Sequence, residues 1–339
     1  MNYAEIRAHL RQPLYETLQS SIILTMQNNI YALQNYEFIR ISGADRISFL
    51  QGQLSCNTEL LSAGHSLTGA LCNLKGRVIA DFRLVERGEE IIMQCAAGMA
   101  GKIHATLSKY AIFSKVELSQ LKRKNNTAPI ALGIIGKKVD EALSILGTEL
   151  SENVDAVSSS ATSSVVRAGG PSNRIEIWMN TEVAAEQLLT MLKEKTTDDL
   201  ESWLRADIED GIVHVTPSLS EEFTPQSLNY DLSGLIDFKK GCYTGQEIVA
   251  RMFYRGTAKR RLQLASCSHT ISGSSKIVAR DSEGLEEDIL AFSNTGATGS
   301  VLLAVLPVRV VDSGESMALS DNTDSEVSIR ELPYMVDRL

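Results

Sequence analysis

The chain has 339 residues, a net charge of −9, 43 % hydrophobic residues and 22 % charged residues. That is length enough for two or three domains with cores of their own, and the balance is ordinary for a globular protein. The acidic total excludes a general nucleic-acid coat while leaving room for a local basic face.

Residues 1–34 read as mainly helical, ending in the polar stretch S-S-I-I-L-T-M-Q-N-N. Y-E-F-I-R-I-S (36–42) alternates like a strand. In G-A-D-R-I-S-F-L-Q-G-Q-L, Ala44, Ile47, Phe49, Leu50 and Leu54 fall at helical spacing. Three strands with short polar turns follow over 67–73, 77–86 and 90–96. A helix is expected over 99–111 and a strand over 113–118. After the loop K-R-K-N-N-T-A-P (122–129), a strand is expected over 128–136 and a helix over 137–147. The serine-rich 151–164 reads as an exposed segment that packs nothing. A strand over 174–179 and helices over 182–195 and 198–210 complete this part. From Arg260 onward, L-Q-L-A-S, S-S-K-I-V-A-R, G-S-V-L-L-A-V-L and E-V-S-I-R alternate with turns, the mark of a small all-β barrel.

No apolar run approaches the roughly 20 residues of a membrane helix. The N-terminal M-N-Y-A-E-I-R-A-H-L-R has neither the basic nor the apolar region of a signal peptide. Its early Glu5 is unlike a transit peptide, so a cytoplasmic protein without membrane contact is expected. The cysteines at 56, 72, 95, 242 and 267 are odd in number and never form C-x-x-C, which disfavours disulfides and a metal site. Cys56, Cys72 and Cys95 lie in apolar segments and read as small buried hydrophobes. Cys267 and His269 lack further ligands nearby. The five histidines show no metal spacing, and Trp178 and Trp203 read as core residues.

The most informative stretch is D-F-K-K-G-C-Y-T-G-Q-E-I-V-A-R, residues 237–251. A thiol reacts as its thiolate, and neighbouring cations lower its pKa. Lys239, Lys240 and Arg251 are the cations nearest Cys242 along the chain. Gly241 and Gly245 free the backbone to turn sharply or to approach a ligand. Gln246 and Glu247 add an amide and a carboxylate that can orient ligand or loop. Around them Arg255, Lys259, Arg260 and Arg261 make a basic stretch with Glu247 as its one nearby acid. It suits an anion, whether a carboxylated cofactor or RNA phosphate.

K-G-C-Y-T-G-Q-E followed by R-G-x-x-K-R-R-L resembles the signature of the YgfZ family, folate-binding proteins related to the aminomethyltransferase (T-protein) of the glycine cleavage system. S-L-S-E-E-F-T-P-Q-S-L-N-Y-D (218–231), I-S-G-A-D-R-I-S-F-L-Q-G-Q-L (41–54) and N-L-K-G-R-V-I-A-D-F-R-L (73–84) fit the same family. The resemblance spans about 36–310. It implies an α+β fold of three domains in a ring around a folate-sized channel, with a C-terminal β-barrel. The body would be 1–255, two interleaved α+β subdomains with a serine-rich loop at 151–164, and the barrel 256–339. It implies tetrahydrofolate, or another folate, as the cofactor. It also implies a role in maintaining iron–sulfur client enzymes, such as a tRNA methylthiotransferase, rather than classical enzyme activity. Cys242 would be the working thiol. Lys239, Lys240, Gly241, Tyr243, Gly245, Gln246, Glu247 and Arg251 would serve the cofactor site, with Asn229 and Asp81 as further folate contacts. Direct tRNA binding rests on the basic stretch alone. The alternative is a tetrahydrofolate-dependent one-carbon transferase. Against it, the T-protein relatives carry two adjacent aspartates after a G-G turn, whereas Ala80 and Asp81 stand here after the single Gly76.

Overall fold

The computed structural model describes residues 30–123, 127–170, 173–256, 258–280, 284–294 and 299–335. The first elements are β1 (Ile30–Ala32), β2 (Tyr36–Ser42), α1 (Arg46–Gln51), β3 (Leu67–Cys72), β4 (Val78–Arg87), β5 (Glu90–Ala96), α2 (Ala100–Ser108) and β6 (Glu117–Leu121). Next come β7 (Ile130–Ile135), α3 (Lys138–Ile145), β8 (Val157–Ser159), β9 (Ser163–Arg167), β10 (Arg174–Met179), α4 (Glu182–Leu192), β11 (Thr196–Thr197), α5 (Glu201–Glu209) and α6 (Gln246–Arg255). The last are β12 (Arg260–Cys267), β13 (Lys276–Ala279), β14 (Glu286–Asn294), β15 (Ser300–Pro307), α7 (Val308–Ser313), β16 (Met317–Leu319) and β17 (Asn322–Arg330). They form a five-stranded sheet (β3-β4-β5-β2-β6), a six-stranded sheet (β11-β1-β7-β10-β9-β8) and a closed barrel (β12-β15-β14-β13-β16-β17). The fold is thus mixed α and β with a C-terminal barrel, as the sequence leads one to expect.

The two-residue period of a strand decides what the sheets present to each other. On β4, Ala80, Phe82 and Leu84 join the core under the first sheet, while Asp81, Arg83 and Val85 alternate onto the opposite face. On β10, Ile175, Ile177 and Met179 pack with α3 and α4. Arg174, Glu176 and Trp178 turn the other way. The two inner faces meet over Phe38, Val85, Ile92 and Trp178. Gln94 donates across this gap to Glu176 at 2.5 Å, and Arg83 pairs with Asp155 at 2.6 Å. The sheets therefore share an interior that is apolar at one end and charged at the other.

Three expectations need correction. Residues 30–32 form β1, so the N-terminal helix does not extend to residue 34; its remainder, 1–29, lies outside the described residues. The strand expected at 113–118 begins at Glu117, after a 3-10 turn at Ala111–Phe113. The serine-rich segment does pack: β8 and β9 pair through it, and Ser163 and Ser164 are buried. Ser164 exchanges hydrogen bonds with Ser159 and the Arg87 guanidinium, so small hydroxyls serve there as core polar groups. In the barrel, β14 escaped the sequence reading because the charged Glu286–Asp288 at its start hides the alternation.

Candidate functional site

Between the sheets lies a connected polar centre. Helix α5 supplies one wall. Trp203 and Asp207, one helical turn apart, point inward, and Asp210 follows at the helix end. Gly133 on β7 makes room for this helix, since a β-carbon there would come within 2.7 Å of the Trp203 ring. Arg174 crosses from β10 to meet Asp207 and Asp210, each at 2.7 Å, and its guanidinium lies 5.0 Å over the Trp203 ring. Burial opposes the Arg174 charge, but the two carboxylates outweigh it and raise its pKa. Asp210, more deeply enclosed, is pushed up to about 7 by burial in spite of Arg174.

His214 sits at the heart of the centre. Its Nδ1 is 2.7 Å from Asp81 Oδ2, and Tyr36 Oη is 3.2 Å from Nε2, with the two rings edge to face. Asp207 Oδ2 stands 3.9 Å from Nε2. Burial works against a charge here, yet Asp81, backed by Asp207 and Glu176, lifts His214 to about 9, so it is an imidazolium at neutral pH. The other Asp81 oxygen accepts the Val215 backbone N–H at 2.6 Å. Although His214 lies deep enough for desolvation to be the largest influence on its pKa, its side chain is 29 % accessible. The ring thus sits deep in the fold with part of its surface still accessible.

Nearby, Trp203 Nε1, Asp207 Oδ2 and Tyr31 Oη are enclosed and make no hydrogen bond among the described residues, though Asp207 Oδ2 faces the His214 ring at 3.9 Å, and the Tyr31 and Trp203 rings are neighbours at 6.1 Å. A protein interior rarely leaves such groups empty-handed.

The cysteine loop lies at the near end of the same sheet. Gly245, at φ +83°, opens α6 and presses against the Asn73 carbonyl so closely that no side chain fits. The β3–β4 turn and the helix thus lock together, with Gly76 against Ile248. Along β3, Ala70 pairs with Asp81 and Cys72 with Val78, so about 7 Å of strand separates the Asp81 row from the row under Gly245. Cys242 is exposed, while Cys56, Cys72, Cys95 and Cys267 are buried. Burial pushes Cys56 and Cys72 up to about 12, which keeps them protonated and inert.

The surrounding residues divide in a way the sequence did not foretell. Lys240 does not face the thiol. Its ammonium is buried and donates to the carbonyls of Gln51, Leu54 and Cys56 at 2.6–2.8 Å, where it ties down the chain leaving α1. Burial draws its pKa down to about 8, and its Nζ lies 5.2 Å over the Tyr243 ring. Lys240 is therefore a strut, not a source of positive potential for Cys242. Tyr243 is buried beside it, its hydroxyl unpaired. The Gln246 side chain accepts the Tyr243 N–H at 3.3 Å and holds the loop itself. Gly241, Lys239, Glu247 and Arg251 are exposed. Arg260 is neutralised by Glu287 and Arg261 by Asp231, so acids distant in sequence thin the basic stretch. Asn229 is also placed elsewhere. At φ +58° and fully buried, it donates to the Leu262 carbonyl at 2.9 Å, at the seam between body and barrel.

Of the expected folate contacts, then, Asp81 lies in the polar centre and Asn229 does not. Sequence reasoning missed Tyr36, Arg174, Asp207 and His214. One signal was available: R-I-E-I-W-M puts Arg, Glu and Trp on one face of a strand whose other face is wholly aliphatic. Among the described residues, no group of three or more His, Cys, Asp or Glu side chains is placed to hold a metal ion.

No family model matches the chain. It is 31 % identical over 276 residues to the "tRNA-modifying protein YgfZ" of Yersinia pseudotuberculosis, covering 81 % of this chain and 80 % of that relative. The chain belongs to the YgfZ family. The namesake from Serratia proteamaculans is 29 % identical over 317 residues, covering 90 % of this chain and 92 % of its own. Among solved structures, the glycine cleavage system aminomethyltransferase T of Bartonella henselae superposes with a TM-score of 0.74 at 17 % identity, over 93 % of this chain and 88 % of that one. The fold is therefore of the aminomethyltransferase type, in keeping with the resemblance carried by the K-G-C-Y-T-G-Q-E loop. Among the described residues, no helix is long and apolar enough to cross a membrane.

Proposed function

We propose that this YgfZ-family protein binds a folate at the polar centre, beside the partly accessible His214. There it acts as a cytoplasmic factor that supports tRNA modification, using Cys242 to maintain iron–sulfur client enzymes such as a tRNA methylthiotransferase. The observation that carries the folate reading is His214, a buried cation whose side chain is still partly accessible in a fold of the aminomethyltransferase type. A pterin offers a flat aromatic face and an edge of alternating donors and acceptors. Asp207 Oδ2 and Trp203 Nε1, enclosed beside His214, would meet that edge once the side chains around them move apart. Asp81 would keep His214 charged and oriented, and His214 with Tyr36 would fix the ligand's position. Bound tetrahydrofolate supplies one-carbon carrier and reducing chemistry; the chain's own residues bind it and shield it from water. The exposed thiol of Cys242, held on a braced loop, is the group that would meet a client.

Titration with tetrahydrofolate, followed by quenching of tryptophan fluorescence, tests the folate reading; no saturable quenching in the purified protein rejects it. A Cys242→Ala strain tests the thiol separately. Loss of tRNA methylthiolation is expected, and full methylthiolation would remove Cys242 from the account. The one-carbon transferase reading has less support. Both Asp81 oxygens are held, one by His214 and the other by the Val215 N–H, so the carboxylate is not a free base. Methylenetetrahydrofolate formed at catalytic turnover from a methylamine donor would reverse that ranking.

A further inference from the structure

Helix α6 carries a second feature that neither the polar centre nor the thiol explains. Its C-terminal turn ends in Phe253 and Tyr254, which are 42 % and 67 % exposed. Phe253 lies flat on Phe238, with ring centroids 3.8 Å apart and an interplanar angle of 15°. Tyr254 meets both rings edge-on, at 5.1 and 6.2 Å. One face of Phe253 is thus covered, and its remaining exposure belongs to the other face and the rim. Two exposed aromatic rings, anchored by stacking on the half-buried Phe238, are an unusual use of apolar surface.

Cations accompany them. Arg251 precedes Tyr254 by three residues and so shares its side of the helix. Lys239 directly follows Phe238, and Lys259 lies four residues beyond the end of α6. All three are exposed, and among the described residues none of their side chains is engaged in an ion pair. The acids nearby are Glu247, on the first turn of α6, and Asp237, whose Oδ1 accepts the Lys239 backbone N–H at 2.7 Å. A stacked ring pair with an open π-face, beside unpaired cations, matches a flat base attached to a phosphate.

We propose that Phe238, Phe253 and Tyr254, with Lys239, Arg251 and Lys259, form a stacking platform for an unpaired stretch of RNA. This goes beyond the folate and thiol reading and does not depend on it. The rings take one or two splayed-out bases, and the cations follow the backbone on either side. Base pairing hides the faces that the rings need, so the platform selects loops and single strands over duplex. With two or three phosphates neutralised, the logarithm of affinity falls with the logarithm of salt at a slope of about −2.

The test uses the full chain and a fluorescein-labelled single-stranded RNA of about 12 nucleotides in low salt, followed by anisotropy. Saturable binding is expected, with a duplex of the same sequence at least tenfold weaker. The double change Phe253→Ala with Tyr254→Ala weakens binding by about tenfold or more. Arg251→Gln flattens the salt dependence, and tetrahydrofolate affinity stays the same in the double variant. Absence of binding at low salt, equal binding of duplex and single strand, or an unchanged affinity in the double variant each overturns the proposal. If the double variant melts early, Tyr254→Ser, at a position two-thirds exposed, carries the same test: unchanged affinity overturns the platform.

Discussion

The polar centre around His214 and the loop around Cys242 are built on opposite principles. In the centre, Arg174, Asp207, Asp210, Asp81 and His214 are drawn into the protein and hold one another by charge. In the loop, the Cys242 thiol is left in solvent, and the buried charge, Lys240, holds the backbone. A buried cluster is fixed by its mutual pairing, at the cost that any lost partner strands a charge. An exposed thiol contributes nothing to stability and can be spent on chemistry. The two regions should therefore answer differently to mutation.

The sharpest test of that contrast is Arg174→Met. It leaves Asp207 and Asp210 buried without their cation and should cost about 3–5 kcal/mol in denaturant unfolding; a loss under ~1 kcal/mol would mean the centre is solvated after all. Lys240→Met comes next. It strands three carbonyls after α1 and should cost about 2–4 kcal/mol, with faster amide exchange across 241–244. If stability holds while Cys242 reactivity alone changes, Lys240 acts on the thiol instead.

The pH dependence follows from His214. Its folded pKa, raised to about 9, lies above the value of about 6.5 for a free histidine, so its contribution is fully present below about pH 6.5 and is lost as pH rises through 9. Wild-type stability should fall on the order of 2–3 kcal/mol over that window. His214→Asn should remove most of the slope, and an unaltered slope would assign it to other groups. Cys242→Ala should give the smallest change, within ~0.5 kcal/mol. In the native protein, iodoacetamide should label Cys242 well ahead of the four buried cysteines. Equal labelling of several would contradict the division between one open thiol and four enclosed ones.

Much of this architecture could be read from the sequence, because it is local. The alternation on β2, β4 and β10 marks the buried faces, and the cysteines in apolar runs are buried as their neighbours suggest. The serine-rich segment misled because a low-hydrophobicity run implies solvent only when no partner meets its hydroxyls, and Arg87 does. Lys240 misled because proximity along the chain to Cys242 says nothing of where a long side chain ends. Its acceptors lie almost two hundred positions upstream. His214 looked like an isolated histidine, since its partners Asp81 and Tyr36 come from the other end of the body.

The central claim is that the centre around His214 holds the ligand and the thiol stands outside it. Tetrahydrofolate titrations of the wild type, Asp207→Asn and Cys242→Ala address it directly. The account predicts at least a tenfold loss of affinity for Asp207→Asn, from removing one charged acceptor, and wild-type affinity for Cys242→Ala. Normal binding by Asp207→Asn together with lost binding by Cys242→Ala would contradict it.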